Sequence, residues 1–133
     1  MPDKKFLFVF GGAFLLIVAL IWWGLGEDQA KDDPAAIVYY YGEGCPHCKT
    51  INEFLEENKV SEKVSFEKKE VWGNKTNARE LDRRAQACKV SPEGMGVPFV
   101  YGGDGRCYIG EPDVRKFFSE KAGIDLSSGE KKE

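Results

Sequence analysis

The sequence has almost no histidine and no excess of basic residues. Its 133 residues include a single histidine, and the formal net charge is −3. Because nucleic-acid binding depends on an excess of basic residues, this charge argues against nucleic acid as a partner. The sequence also shows no internal repeat, and its one low-complexity stretch is the polar tail, residues 127–133.

The four cysteines do not suit a zinc site. Cys45 and Cys48 form one C-x-x-C motif, but Cys88 and Cys107 are 19 residues apart and do not form a second. A structural zinc ion requires four ligands, and His47 is the one histidine that could join these cysteines. The sequence therefore predicts neither a bound metal nor another cofactor.

The C-x-x-C motif lies between a predicted strand and a predicted helix. An apolar run, residues 35–41, precedes it, and the amphipathic run 51–58 follows it. Pro46 suits the first helical position, where its missing N–H costs nothing. Cys45 would then lie at the helix N-terminus, where free backbone N–H groups and the helix dipole favour a thiolate. Cys48 lies one turn later on the same helix face.

These positions predict different chemical roles for the two cysteines. Thiol–disulfide exchange requires a thiolate to attack a disulfide sulfur, so Cys45 is the predicted attacking residue. Cys48 is the predicted resolving residue, which closes onto Cys45 and releases the mixed-disulfide partner.

The N-terminal segment predicts a membrane anchor. Residues 6–25 contain no charge, and a helix of this length spans about 30 Å, the thickness of the hydrocarbon core of a bilayer. Lys4 and Lys5 precede the segment and acidic residues follow it, so the positive-inside rule places the N-terminus in the cytoplasm. The remaining chain would then be extracytoplasmic, on the periplasmic or outer face.

A cleaved signal peptide is the alternative for this segment. Signal peptides have a shorter apolar region of about 7–15 residues, and Gly24-Leu25-Gly26 is a poor cleavage site, so an uncleaved anchor is favoured. The predicted organisation is listed by residue number: N-terminus and anchor 1–26, linker 27–34, folded domain 35–124 and disordered polar tail 125–133.

The folded domain has the predicted element order β-α-β-α-β-β-α. A second strand over 64–72 has a charged centre, which suits a sheet edge. A helix over 76–89 follows, and its charged residues are predicted to form a solvated face: Arg79, Glu80, Asp82, Arg83 and Arg84. Two short strands flank a glycine-rich turn, 102–105, as in an antiparallel hairpin. The predicted fold is α/β with a four-stranded mixed sheet whose first three strands are parallel, linked by helical crossovers.

The motifs resemble those of the thioredoxin superfamily over about residues 35–122. The resemblance depends on Cys45-Pro46-His47-Cys48 after the first strand and on Val97-Pro98 at the start of the hairpin. It implies a thiol–disulfide oxidoreductase with a cis-proline, Pro98, beside the cysteine pair. The compact size is similar to glutaredoxins. However, Gly96 replaces the threonine that usually precedes their Val-Pro pair, and Glu111 replaces the second glycine of their Gly-Gly pair, so glutathione use does not carry over.

The central dipeptide, Pro46-His47, resembles that of the DsbA-type periplasmic oxidants. A histidine between the cysteines favours the Cys45 thiolate and makes the disulfide more oxidising. The chain lacks room for the inserted helical domain of those proteins and lacks thioredoxin's acid on the first strand. Oxidation, reduction and isomerisation all remain open.

The second cysteine pair has two interpretations. Cys88 and Cys107 fall at apolar positions, where free cysteines pack as small hydrophobic residues. An extracytoplasmic location would instead permit a structural disulfide between them.

The leading hypothesis is a membrane-anchored oxidoreductase that exchanges disulfides with extracytoplasmic protein thiols. Its partners would be substrate proteins, a membrane or soluble redox partner, and the lipid bilayer through residues 6–25. The alternatives are a thiol pair that handles a soft metal such as copper, and a docking domain without catalytic activity.

Overall fold

A computed structural model describes residues 4–24 and 33–128. The chain divides into two units, Met1–Asp32 and Asp33–Glu133. In the first unit, helix α1 spans Lys4–Gly24. Within the described residues, no helix meets the length and hydropathy needed to cross a bilayer. The last residue of the predicted anchor, Leu25, and most of the predicted linker lie outside the described residues.

The second unit is an α/β domain. Its strands are β1 (Val38–Tyr41), β2 (Glu67–Glu70), β3 (Phe99–Tyr101) and β4 (Cys107–Ile109). Its helices are α2 (Pro46–Glu57), α3 (Val60–Lys63), α4 (Lys75–Ala87) and α5 (Glu111–Ala122), with 3-10 turns at Pro92–Gly94 and Leu126–Ser128. The short helix α3 and the turn at Leu126–Ser128 were not predicted. The rest of the predicted disordered tail, 129–133, lies outside the described residues.

The four strands form one mixed sheet in the order β2-β1-β3-β4. Strands β1 and β2 are parallel, while β3 is antiparallel to both β1 and β4. The predicted mixed sheet is therefore confirmed, as is the edge position of the charged strand β2. The prediction of three parallel strands is wrong. Residues 88–98, between α4 and β3, can extend about 35 Å, which is enough for the chain to enter β3 from the other end.

The sheet is buried on both faces. On one face Tyr39 and Val100 pack with residues of α2, α3 and α5, including Ile51 and Phe118. On the other face Tyr40 and Phe99 pack with Leu81 and Ala85 of α4. This arrangement follows from the alternation of side chains along a strand, because Tyr39 and Tyr40 of β1 point to opposite faces of the sheet.

Two charged residues of α4 are buried, although the sequence predicted that they face solvent. Glu80 is 4% exposed; its carboxylate accepts hydrogen bonds from the Tyr40 hydroxyl at 2.7 Å and from the Lys69 ammonium at 2.7 Å. Arg84 stacks over the ring of Tyr101, with its guanidinium carbon 4.1 Å from the ring centre. The prediction failed because Tyr40, Lys69 and Tyr101 lie on strands far from α4 in the sequence, and helix periodicity does not reveal such contacts.

Gly103, in the turn between β3 and β4, allows a close backbone approach. Its φ is +74°, and a Cβ there would overlap the carbonyl oxygen of Ala35. We expect Gly103→Ala to lower the free energy of unfolding by about 2 kcal/mol, measured by urea denaturation. Gly105 is a matched control, because its φ is +79° but a Cβ there meets open space. Gly105→Ala should cost about 1 kcal/mol from backbone strain alone, and equal losses in the two variants would contradict the role of the overlap.

Candidate active site

The cysteine motif lies where β1 leads into α2. Cys45 is the N-cap residue of α2 and Pro46 opens the helix, as predicted. The backbone N–H of Cys45 donates to the Gly42 carbonyl at 3.2 Å, which closes the turn between strand and helix. Local sequence thus places both cysteines in the first turn of a helix that begins beside the sheet.

The two cysteines are close together and unbonded. The backbone N–H of Cys48 donates to Cys45 Sγ at 3.2 Å, so a helix-terminal N–H points at this sulfur. Cys45 is 6% exposed and Cys48 is 1% exposed. Cys45 also lines a cleft of about 400 Å³, together with Tyr41, Lys49 and Asn52 among others. The cleft gives a ligand a route to Cys45.

The loop before β3 lies against this pair. The Val97–Pro98 peptide bond is cis, as the resemblance implied. The Val97 carbonyl oxygen is 3.9 Å from Cys45 Sγ, within the range for a weak thiol hydrogen bond. Val97 and Pro98 therefore lie at the cysteine pair, although about fifty residues separate them in the sequence.

The environment of Cys48 favours its protonated form. Burial raises the pKa of the Cys48 thiol to about 12, and its contact with the Cys45 thiol adds to this shift. At neutral pH Cys48 is therefore a thiol. The two cysteines are chemically unequal, since Cys45 lines the cleft and its sulfur accepts the helix N–H, whereas Cys48 is 1% exposed.

His47 contacts a residue that the sequence identified only as a departure from the glutaredoxin pattern. Its Nδ1 lies 2.9 Å from Glu111 Oε2, at the start of α5. The imidazole is largely exposed. The contact joins the first turn of α2 to the first turn of α5, and it orients the ring beside the cysteines.

The carboxylate of Glu70 holds the loop that precedes the cysteine motif. Glu70, the last residue of β2, accepts the N–H groups of Trp72 at 2.7 Å, Gly73 at 2.8 Å and Glu43 at 3.2 Å. The indole of Trp72 is 61% exposed and lies so close to Gly42 that a Cβ there would overlap the ring. The sequence did not predict the hydrogen bonds of Glu70, because it indicated only that Glu70 belongs to a charged edge strand.

The Glu70 contacts predict a pH dependence of stability. Burial acts to raise the pKa of Glu70, but the N–H groups of Gly73, Glu43 and Trp72 outweigh it and hold this pKa below its ordinary value. A lowered carboxyl pKa adds stability above the unfolded-state value of 4.5, and that stability is lost as pH falls through the folded-state pKa. We expect Glu70→Gln to be less stable than wild type at neutral pH, with the difference shrinking in acid.

Urea denaturation between neutral pH and about pH 3 would measure this difference. Glu53 is the matched control: it is an exposed carboxylate of α2, 3.8 Å from the exposed Lys49 ammonium. Glu53→Gln should follow the wild-type pH profile. A Glu70→Gln deficit that stays constant down to low pH would contradict the hydrogen-bonded carboxylate.

The remaining cysteines form a disulfide at a different place. Cys88 follows α4, Cys107 begins β4, and their Cα atoms are 6.0 Å apart. Cys107 pairs with Tyr101, at the end of β3 that is farther from Pro98. Cys88 and Cys107 are therefore a disulfide and not two free packed thiols, so neither sulfur is available to Cys45 or Cys48. Within the part of the chain that the structure describes, no three His, Cys, Asp or Glu side chains cluster as metal ligands.

Comparisons with known proteins add no assignment. No family model matches the chain, and none of the curated proteins or solved structures compared with it is significantly similar.

Proposed function

We propose that the chain is a thiol–disulfide oxidoreductase in which Cys45 attacks and Cys48 resolves. The observation that carries the proposal is the helix-terminal N–H of Cys48, which points at Cys45 Sγ 3.2 Å away in a residue that lines a cleft. Hydrogen bonds from a helix start stabilise a thiolate, and the thiolate is the nucleophile in disulfide exchange. The Val97 carbonyl oxygen, 3.9 Å from this sulfur, brings the Val97-Pro98 pair to the cysteine motif and supports membership of the thioredoxin superfamily.

The proposed reaction has two balanced steps. The Cys45 thiolate attacks one sulfur of a substrate disulfide, forms a mixed disulfide and releases the other sulfur as a thiolate that takes a proton from solvent. Cys48 then attacks Cys45 Sγ and forms the Cys45–Cys48 disulfide. The second substrate sulfur leaves as a thiol and gains the proton that Cys48 loses. The substrate disulfide is reduced by two electrons and the cysteine pair is oxidised, and the reverse sequence oxidises a dithiol.

A membrane-anchored, extracytoplasmic location is part of the same proposal. The anchor rests on the uncharged sequence run over residues 6–25, which includes the exposed apolar side chains of Phe14, Leu16 and Leu20. The Cys88–Cys107 disulfide supports an oxidising compartment, since cytosolic proteins seldom keep structural disulfides. Substrates would then be exported proteins with thiols or disulfides.

Direct exchange with a peptide disulfide tests the proposal. The reduced protein, with Cys88–Cys107 intact, is mixed with a disulfide-bonded peptide, quenched with acid and analysed by peptide mapping. We expect a transient peptide adduct on Cys45, then a Cys45–Cys48 disulfide and free peptide thiols. A protein that neither forms the adduct nor reduces the peptide would overturn the proposal. Stoichiometric binding of Cu(I) with no exchange would favour metal handling instead.

A further inference from the structure

Three consecutive tyrosines on β1 lie in different surroundings, and one of them contacts the cysteine pair. Tyr39 is fully buried on the face of the sheet that α2 covers. Its hydroxyl donates a hydrogen bond to the Cys48 carbonyl oxygen at 3.4 Å. The ring is held edge-on against Phe118, with the ring centres 6.0 Å apart. Its next neighbour, Tyr40, points to the other face and donates to Glu80.

The Tyr39 hydroxyl, held at the Cys48 backbone, also acts on the ionisation of the Cys48 thiol. Burial raises the pKa of Cys48, and a hydrogen bond from Tyr39 acts in the opposite direction, as does a backbone hydrogen bond from Gly42. The pKa of Tyr39 is itself raised, first by burial and then by the two cysteines, so the hydroxyl keeps its proton and remains a donor. A hydroxyl hydrogen can rotate between the carbonyl oxygen and the sulfur, because both are acceptors.

The second step places a negative charge on a buried sulfur. Cys48 is 1% exposed, so water has little access to the negative charge that forms when this thiol loses its proton. An unpaired charge in a buried site is costly, whereas a hydrogen bond to a charged acceptor is stronger than one to a neutral acceptor. A preorganised donor therefore gains strength as the charge on sulfur develops.

We propose that the Tyr39 hydroxyl donates the hydrogen bond that stabilises the Cys48 thiolate, both when Cys48 attacks the mixed disulfide and when it leaves in the reverse step. The inference rests on the proposed exchange function and assigns a catalytic residue to its second half. While Cys48 is a thiol the hydroxyl bonds the Cys48 carbonyl oxygen, and it turns to the sulfur as the proton departs. The Cys48 proton goes to the leaving substrate thiolate, so Tyr39 gains and loses no proton overall.

Tyr39→Phe tests this role because it removes one oxygen atom and keeps the ring. The two steps are measured separately: alkylation of Cys45 by iodoacetamide reports its nucleophilicity, and release of peptide from a preformed Cys45 mixed disulfide reports resolution by Cys48. We expect Tyr39→Phe to slow release by about tenfold or more while changing Cys45 alkylation by less than about twofold.

Tyr40→Phe is the matched control. It removes a buried hydroxyl from the adjacent residue of the same strand, but on the face away from Cys48. We expect it to release peptide at the wild-type rate. Equal slowing in both variants would overturn the inference, because it would indicate a general effect of repacking, and so would wild-type release from Tyr39→Phe.

A more acidic tyrosine distinguishes hydrogen bonding from packing. Incorporation of 3,5-difluorotyrosine at position 39 strengthens the donor with little change in shape, so release should be faster than in Tyr39→Phe and at least as fast as in wild type. Release as slow as in Tyr39→Phe would overturn the proposed donor, and this measurement also covers the case in which Tyr39→Phe does not fold.

If wild type itself forms no mixed disulfide, the exchange function fails, whereas a selective loss of release in the variants tests Tyr39 alone.

Discussion

Cys45→Ala is expected to lose disulfide exchange almost completely, with a rate at least about a thousandfold below that of wild type. The physical reason is that Cys45 makes the attack in the proposed exchange and lines the cleft, whereas Cys48 is only 1% exposed and is protonated at neutral pH. Cys48 therefore does not substitute as the nucleophile. Reduction of a disulfide-bonded peptide, followed by chromatography, would measure the loss.

Cys48→Ala is the matched variant and should behave differently. The first step is kept, but the missing resolving sulfur leaves the peptide attached to Cys45. We expect one adduct per protein by mass spectrometry, located on Cys45 and released by added thiol. Similar residual activity in the two alanine variants would contradict the assignment of attack to Cys45, as would an adduct elsewhere in the chain.

Removing the second disulfide should reduce stability rather than chemistry. The bond closes a loop between residues separated by 19 positions, and a loop of this size contributes about 3 kcal/mol by limiting the unfolded chain. We expect the double variant Cys88→Ala/Cys107→Ala to lose about this much free energy of unfolding in urea. Because the bond lies at the far end of β3 and β4 from Pro98, alkylation of Cys45 should keep its wild-type rate.

The double variant Cys45→Ala/Cys48→Ala is the control for the loss of sulfur atoms. In the reduced protein these cysteines close no loop, so the variant tests the removal of two buried thiols alone. Comparison under conditions that keep Cys88–Cys107 oxidised isolates the cross-link. If both double variants lose the same stability, loop closure contributes nothing and the disulfide has no structural role. A fall in Cys45 reactivity in the Cys88/Cys107 variant would show that the bond also shapes the site.

The sequence predicted the parts of the site that depend on neighbours along the chain. An apolar run followed by Cys45 and Pro46 was enough to predict a strand that leads into a helix, because capping and proline preferences are local. The amphipathic run 51–58 likewise predicted a helix with one buried face, which in the structure contains Cys48, Ile51, Phe54 and Leu55. The antiparallel hairpin was predicted from the turn glycines between its strands.

Contacts between distant residues were not predictable in this way. The direction of β3 depends on how residues 88–98 cross the domain, and hydropathy does not encode that path. The burial of Glu80 depends on Tyr40 and Lys69, which lie on two different strands. The contact of His47 with Glu111 likewise requires α2 and α5 to begin at the same end of the sheet.

By itself the sequence determined which chemistry is available: one C-x-x-C pair at a helix start, one histidine within it, and two further cysteines. Only the tertiary structure decided how these groups are arranged. It bonded Cys88 to Cys107, brought His47 to Glu111, and brought the Tyr39 hydroxyl to the Cys48 carbonyl oxygen. The reason is that helix starts and strand alternation follow from short-range geometry, whereas the surroundings of a sulfur are built from elements that meet only when the sheet is assembled.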